Sequence, residues 1–230
     1  MGKQAKVIPQ WKRWWSYLSP IKIDSTTSDI NNNLEIILVK GQLQLCTDKA
    51  VYSYEYKYEN FRQLFDLMDF SKVKGQNVLL LGLGLGSVIQ LMNYHKKEML
   101  YTAIELDEEV IYLAEKYIIK PLDINVQIIQ TNGYTYPLTT QEKFDLICMD
   151  IFIDDWIPIE FLSTEYCQSL KDLLNPNGTV VYNTPAFNKE SASQSKHFYV
   201  DHFKPTFSKA ELVEVHKNYM LISNSDLLQA

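Results

Sequence analysis

The sequence predicts an α/β protein: a mostly parallel, seven-stranded sheet with helices on both faces and an antiparallel edge strand. Three observations predict it. From Asn77 onward, short apolar strands alternate with amphipathic helices. Those strands are apolar on both faces, as in sheets covered by helices on each side. A glycine-rich turn, Gly82-Leu83-Gly84-Leu85-Gly86, joins the first of them to a helix, and the next strand closes on an acid, Glu105.

The strands read as Asn77–Leu81, Leu100–Glu105, Asn125–Gln130, Phe144–Met149 and Thr179–Asn183, and the helices as Ser87–His95, Glu108–Ile119 and Glu160–Leu174. Asp107, Glu108 and Glu109 open the second helix, where its dipole favours anions, and Lys116, Lys120 and Pro121 close it. Asn175-Pro176-Asn177-Gly178 reads as a turn. Glu211–Val215 and Tyr219–Ser223 flank a three-residue turn, His216–Asn218, and form the closing hairpin. Upstream, Leu34–Lys40 and Gln42–Cys46 join at Gly41 in a second hairpin, with a third extended piece near Ala50–Tyr54. Tyr58, Phe61, Leu64, Phe65 and Met68 then fall at helical spacing. The chain thus divides into a basic, aromatic arm and β-hairpin extension over residues 1–56 and a Rossmann-like domain over 57–230.

Composition narrows the function. With 230 residues, 46% of them hydrophobic and 22% charged, the chain holds one sizeable core. A net charge of −6 argues against a nucleic-acid binder that works by phosphate neutralisation. Cys46, Cys148 and Cys167 show no C-x-x-C spacing and the four histidines form no pair, so no disulfide framework and no metal site is expected. The first 23 residues lack the apolar core of a secretory signal, and the uncharged stretch 75–94 is too rich in glycine and amides for a membrane span. A cytoplasmic location is the expectation. The arm stands apart. Up to Ile23 it carries five bases, no acid and three tryptophans, Trp11, Trp14 and Trp15, which leaves −11 on the rest. Bases interleaved with tryptophan suit an anionic membrane or nucleic acid. Packing on its own domain or on a second subunit is the favoured reading, and a homodimer the expectation.

The chemistry gathers after the strands. Gly82, Gly84 and Gly86 let backbone approach a ligand at a helix N-terminus. Glu105, 23 residues beyond Gly82, stands where an acid accepts hydrogen bonds from ribose hydroxyls. Ser87 replaces the third glycine of a dinucleotide fingerprint, which disfavours NAD, and no lysine follows the glycines as in a P-loop. Asn132 and Asp150 stand at the ends of the next two strands, in loops over the same rim. Asp154 and Asp155 follow as a pair able to steer a cation or take its proton, or else form a solvated turn. Phe152, Trp156, Tyr52 and Tyr54 offer an aromatic wall or simple core. Asn183-Thr184-Pro185 reads as a turn, and His197 and His202 as surface residues.

The runs Asn77–Gly86 and Ala103–Ile111 resemble the class I S-adenosylmethionine-dependent methyltransferase superfamily, in its spermidine synthase-like branch. Phe144–Asp150 and Leu173-x-x-Pro176-x-Gly178-Thr179-Val180-Val181 are similar to that family's fourth and fifth strands, and the hairpin with Gln44 to the N-terminal element of spermidine synthases. The resemblance covers residues 34–185. It implies that Gly82, Gly84 and Gly86 line the cofactor's aliphatic tail, Glu105 its ribose and Asn132 its adenine, and that Gln44 and Asp150 reach it too.

The departures from the family are specific. Leu85 stands where aminopropyl-transferring enzymes carry an aspartate for the ammonium of decarboxylated S-adenosylmethionine. The family's His-Glu pair reads Ser53-Tyr54 or Tyr54-Glu55, and its Asp-Ser-Ser/Thr-Asp-Pro loop becomes Asp150–Pro158 with apolar residues for hydroxyls. These changes favour methyl transfer from S-adenosylmethionine to a small-molecule acceptor, with Asp150, Asp154 and Asp155 as catalytic candidates. The alternatives are aminopropyl transfer from the decarboxylated cofactor to putrescine, and a non-catalytic nucleoside-binding homologue.

Overall fold

The computed structural model describes residues 8–48, 51–53, 55, 58–95 and 98–229. Its main sheet has seven strands in the order β10-β11-β9-β8-β5-β6-β7. Five are parallel: β5 (Asn77–Leu81), β6 (Leu100–Glu105), β7 (Val126–Gln130), β8 (Phe144–Met149) and β9 (Leu174–Pro185). β11 (Asn218–Ile222) pairs antiparallel to β9, and β10 (Glu211–Val215) pairs antiparallel to β11. The chain winds outward from β5 through β6 to β7, then returns to lay β8 on the other side of β5. That reversal opens a crevice beyond the C-terminal ends of β5 and β8, the place where doubly wound sheets bind ligands.

Leu79, Leu81, Ile147, Met149, Val180 and Tyr182 enter the cluster on one face of the sheet, and Val78, Leu80, Leu146, Cys148 and Val181 the cluster on the other. This two-sided burial is why the middles of β5 and β8 are apolar on both faces. α2 (Glu59–Leu67) and α3 (Ser87–His95) cover one face. α4 (Glu108–Ala114) starts on Asp107, whose side chain accepts from the Glu109 amide, and runs through a π turn (Glu115–Ile119) into α5 (Lys120–Leu122). α6 (Tyr136–Thr139) follows β7. α7 (Thr164–Asp172), capped by Ser163, and α8 (Lys189–Phe198), capped by Asn188, cover the second face.

A separate four-stranded antiparallel sheet, β1-β2-β3-β4, is built from Ile21–Thr26, Leu34–Val39, Gln42–Cys46 and Val51–Ser53. Leu34, Ile36, Leu38, Leu43 and Leu45 pack on Val110, Leu113, Tyr117 and Ile118 and close over Leu85 of the glycine turn.

Several expectations are corrected. Ile21–Thr26 adds a strand to the expected hairpin. The turn at Asn175–Gly178 lies within β9 as an irregularity, between the pairs Phe144↔Leu174 and Leu146↔Thr179, and Asn177 absorbs it with φ 66°. β9 continues through Asn183-Thr184-Pro185 because β11 pairs it there, so this is strand and not turn. The closing hairpin turns on two residues, Val215 pairing with Asn218. The arm's tryptophans do not pack on their own domain, which corrects that half of the expectation. In α1 (Gln10–Trp15), Trp11, Trp14 and Trp15 are exposed, whereas Arg13 is buried. Its guanidinium bonds the Gly41 carbonyl and pairs with buried Glu55 at 3.5 Å. Tyr54 lies outside the described residues, as does the side chain of Tyr52.

Candidate active site

A cleft of about 400 Å³ lies over the crevice between β5 and β8. Its floor is the glycine turn. Gly82 takes φ 90°, and a Cβ there would stand 2.4 Å from the Asp150 carbonyl, so two loops meet at a point only glycine allows. Leu83, Gly84 and Ser87 line the cleft, and the Ser87 hydroxyl bonds that of Ser53 at 2.6 Å. Gly86 shapes the turn without lining it. Leu85 turns away and is fully buried under the N-terminal sheet.

Glu105 lies at the centre. Its Oε2 accepts from the amides of Leu83 (3.1 Å) and Gly84 (3.4 Å), and its Oε1 from those of Leu106 (2.8 Å) and Asp107 (3.1 Å). Four donors fill the four acceptor positions of a carboxylate. Burial pushes its pKa up, and the four amides pull against that shift. Asn132 opens the next loop, where its side-chain oxygen accepts from the Tyr134 amide at 2.7 Å. Residues 27–33 cross above this end. Ser28 and Asn31 donate to Asp107 Oδ2 at 2.5 and 2.7 Å.

Asp150 closes the opposite end. Its Oδ1 accepts from the Tyr58 hydroxyl at 3.0 Å and from Asn183 Nδ2 at 2.8 Å. Asn218 in turn donates to the Asn183 oxygen at 2.8 Å, which fixes the direction of that amide. Desolvation raises the Asp150 pKa to about 6, against the two donors. Burial and the neighbouring carboxylate hold the Tyr58 phenol well above its usual range, so it stays protonated and donating.

The loop after Asp150 places Phe152 and Asp154 on the cleft. Asp154 and Asp155 are the central residues of a turn closed by Ile153 and Trp156, and Asp155 is exposed and off the cleft. Gln44 is also off the cleft: alternation along β3 sends Leu43 and Leu45 into the core and Gln44 to the opposite face. Of the pairs considered for the family's His-Glu, Ser53 bonds Ser87 and Glu55 bonds Arg13 and the Leu43 amide.

Electrostatics separate the cleft from a general nucleotide site. Asp48, Glu105, Asp107, Asp150, Asp154 and Glu160 all line it, and among the described residues no lysine, arginine or histidine does. The Leu83 and Gly84 amides of the glycine turn both donate to Glu105.

Residues 61–222 match the Spermine/spermidine synthase domain family. The chain belongs to this family. It is 31% identical over 107 residues to a Bifidobacterium longum protein named "Probable polyamine aminopropyl transferase", an alignment spanning 46% of this chain and 24% of that protein. It is 28% identical over 119 residues to the polyamine aminopropyltransferase of Vibrio vulnificus, spanning 50% and 40%. The aligned stretches therefore span less than half the length of these curated relatives. The spermidine synthase structure from Thermotoga maritima superposes with a TM-score of 0.68 at 18% identity, covering 87% of this chain and 71% of that one. Human methyltransferase-like protein 13, solved with SAH, gives 0.58 at 17%, covering 76% and 84%. These two likenesses speak for the fold alone, which one architecture lends to both kinds of protein.

Sequence reasoning missed two members of this spermidine synthase-family site. Tyr58 has the spacing of a core position on α2, and Asn183 looks like the start of a turn. The usable signal was a buried-strand asparagine: β9 buries Asn183 completely, and an amide there needs polar partners.

Proposed function

We propose that the chain transfers an aminopropyl group from decarboxylated S-adenosylmethionine to a cationic amine. This replaces the expectation of methyl transfer from the intact cofactor. One observation carries it: six acids and no cation line the cleft among the described residues. Decarboxylated S-adenosylmethionine presents a sulfonium and an ammonium, and a polyamine presents further ammoniums; acids attract all of these. Intact S-adenosylmethionine adds a carboxylate. Among the described residues no lysine, arginine or histidine lines the cleft to balance it. The family match and the names of the relatives support the same reading.

In this proposal Glu105 holds the ribose, its longest bond, from Gly84 at 3.4 Å, giving way to a sugar hydroxyl. Asn132 meets the adenine; its oxygen is engaged by Tyr134, so its Nδ2 is the group presented to the ring. Gly82 and Gly84, both on the cleft, let the tail pass close to backbone, and Gly86 carries the turn at φ 83°. When bound, the sulfonium supplies an activated carbon. The residues then orient the acceptor and manage one proton.

An amine attacks only as the free base. Asp150 is the proton acceptor: Tyr58 and Asn183 occupy Oδ1 and leave Oδ2 for the cleft. Its raised pKa of about 6 makes it a better base than an ordinary carboxylate, yet it remains ionised at neutral pH. Asp154 steers the acceptor cation from the loop, whereas Gln44 and Asp155 take no part. Leu85 supplies no charge for the donor's ammonium, which leaves that balance to the other acids of the cleft.

The test is incubation with decarboxylated S-adenosylmethionine and putrescine, cadaverine or spermidine, with chromatography of the nucleoside product. Methylthioadenosine with an aminopropylated amine is the expected pair. S-adenosylhomocysteine formed from intact S-adenosylmethionine would restore methyl transfer. Nucleoside binding with no turnover of either donor would leave a non-catalytic homologue.

A further inference from the structure

We propose that the outward face of α1 docks on an anionic lipid bilayer. Trp11, Trp14, Trp15 and Leu18 recur at the spacing of one helical face, the arrangement that normally marks a core-facing stripe. Here that stripe faces solvent: Trp14 is 76% and Leu18 79% exposed, with Tyr17 at 65% beside them. The inner face is polar instead. Arg13 bonds the Gly41 carbonyl and Glu55, the Ser16 hydroxyl accepts from the Gly41 amide at 2.8 Å, and the Ser16 carbonyl accepts from the Lys40 amide at 2.9 Å. Three polar attachments thus pin the helix to the β2–β3 turn and hold its apolar side outward.

Charge identifies the occupant. Of the bases through Ile23, Arg13 is buried against Glu55 and Lys22 pairs with Glu35, which leaves Lys12 beside the tryptophans, with no acid in the segment. Lys12 sits over the Trp11 ring at 5.7 Å, and exposed Lys40 adjoins Ser16. A second copy docked by the same face would set base against base, because a two-fold contact pairs each patch with itself. An anionic partner balances Lys12 and Lys40 instead. A nucleic acid would use the tryptophans for stacking but gives Leu18 nothing. A bilayer interface takes both, with indole and phenol rings at the headgroup level, leucine below them and lysines on anionic headgroups.

The test is flotation of the full chain with vesicles of phosphatidylcholine alone or with 30% phosphatidylglycerol. Binding to the anionic vesicles, and its loss in about 0.5 M salt, is expected. Lys12→Gln should lower partitioning about fivefold. Trp14→Ser with Leu18→Ser should lower it about tenfold or more while leaving the melting temperature unchanged, since both side chains are exposed. Absence of flotation with anionic vesicles overturns the proposal, as does equal binding to neutral ones. If the double variant instead disperses a dimer, or abolishes binding of single-stranded RNA by a chain that ignores vesicles, the face belongs to that other partner.

Discussion

Asp150→Asn should stabilise the protein while removing its activity. The folded-state pKa of Asp150 is raised from 3.8 to about 6. Between those values the native state binds a proton that the unfolded chain has released, so stability falls as pH rises through that window. Two units at about 1.4 kcal/mol each set a ceiling of about 3 kcal/mol on the cost of ionisation at neutral pH. Asp150 borders the cleft, where solvent screens part of this, so about 1–2 kcal/mol is the expected gain on neutralisation. Asparagine keeps the acceptor oxygen for Tyr58 and Asn183, so the hydrogen-bonded frame survives. A domain of this size gains about 2–4 °C per kcal/mol. Melting scans should therefore show the variant higher by about 2–8 °C at pH 7.5 and indistinguishable from the parent near pH 4, where both carry a neutral group. Turnover of the parent should rise with pH to a plateau above about pH 6, and the variant should lose about 10²-fold or more. A variant no more stable at pH 7.5 would refute the raised pKa, and one that retains turnover would refute the base.

Four further substitutions test the surrounding site. Gly82→Ala should cost about 3 kcal/mol or more in urea unfolding, because φ 90° and the Asp150 carbonyl at 2.4 Å both oppose a Cβ. Gly133→Ala meets only the mobile tip of Ile151 and should cost under about 1 kcal/mol. Glu105→Ala should weaken methylthioadenosine binding at least tenfold by calorimetry, because both the ribose acceptor and the anchor of the glycine turn are lost. Leu85→Asp should not create a partner for the donor's ammonium; it buries a charge beneath the N-terminal sheet and should destabilise by about 3–5 kcal/mol, with no gain in donor affinity.

The parts legible in the sequence are those that local chemistry dictates. Asn77–Leu81, Leu100–Glu105 and Phe144–Met149 are strands at the bounds their largely apolar runs imply, and Ser87–His95 is the helix expected after the glycines. Gly82 and Glu105 were readable because turn geometry and a strand-end acid each leave a mark within a few residues. Tyr58, Asp150 and Asn183 meet across 92 and 33 residues of chain, and nothing local records such a meeting. Which side of the arm packs on its own domain was hidden for a related reason. Three tryptophans signal burial, but Arg13 found a carbonyl and a carboxylate inside, and those contacts fixed which side of α1 faces in.

The cleft's charge also links ligand binding to folding. Glu105 satisfies its carboxylate with four backbone amides and Asp150 with two side-chain donors. Hydrogen bonds neutralise neither charge, and among the described residues no cation lines the cleft to do so. The free protein therefore carries unbalanced acids that a cationic ligand relieves. Stabilisation by a ligand grows with the excess of its concentration over Kd, reaching about 2.7 kcal/mol at a hundredfold excess. At matched concentration, decarboxylated S-adenosylmethionine should raise the melting temperature more than neutral methylthioadenosine, and intact S-adenosylmethionine less than its decarboxylated form. Salt should narrow the first difference, because it screens the acids that produce it. Equal shifts from all three nucleosides would mean that the acids are balanced by solvent, and that neither the sulfonium nor the missing carboxylate governs recognition.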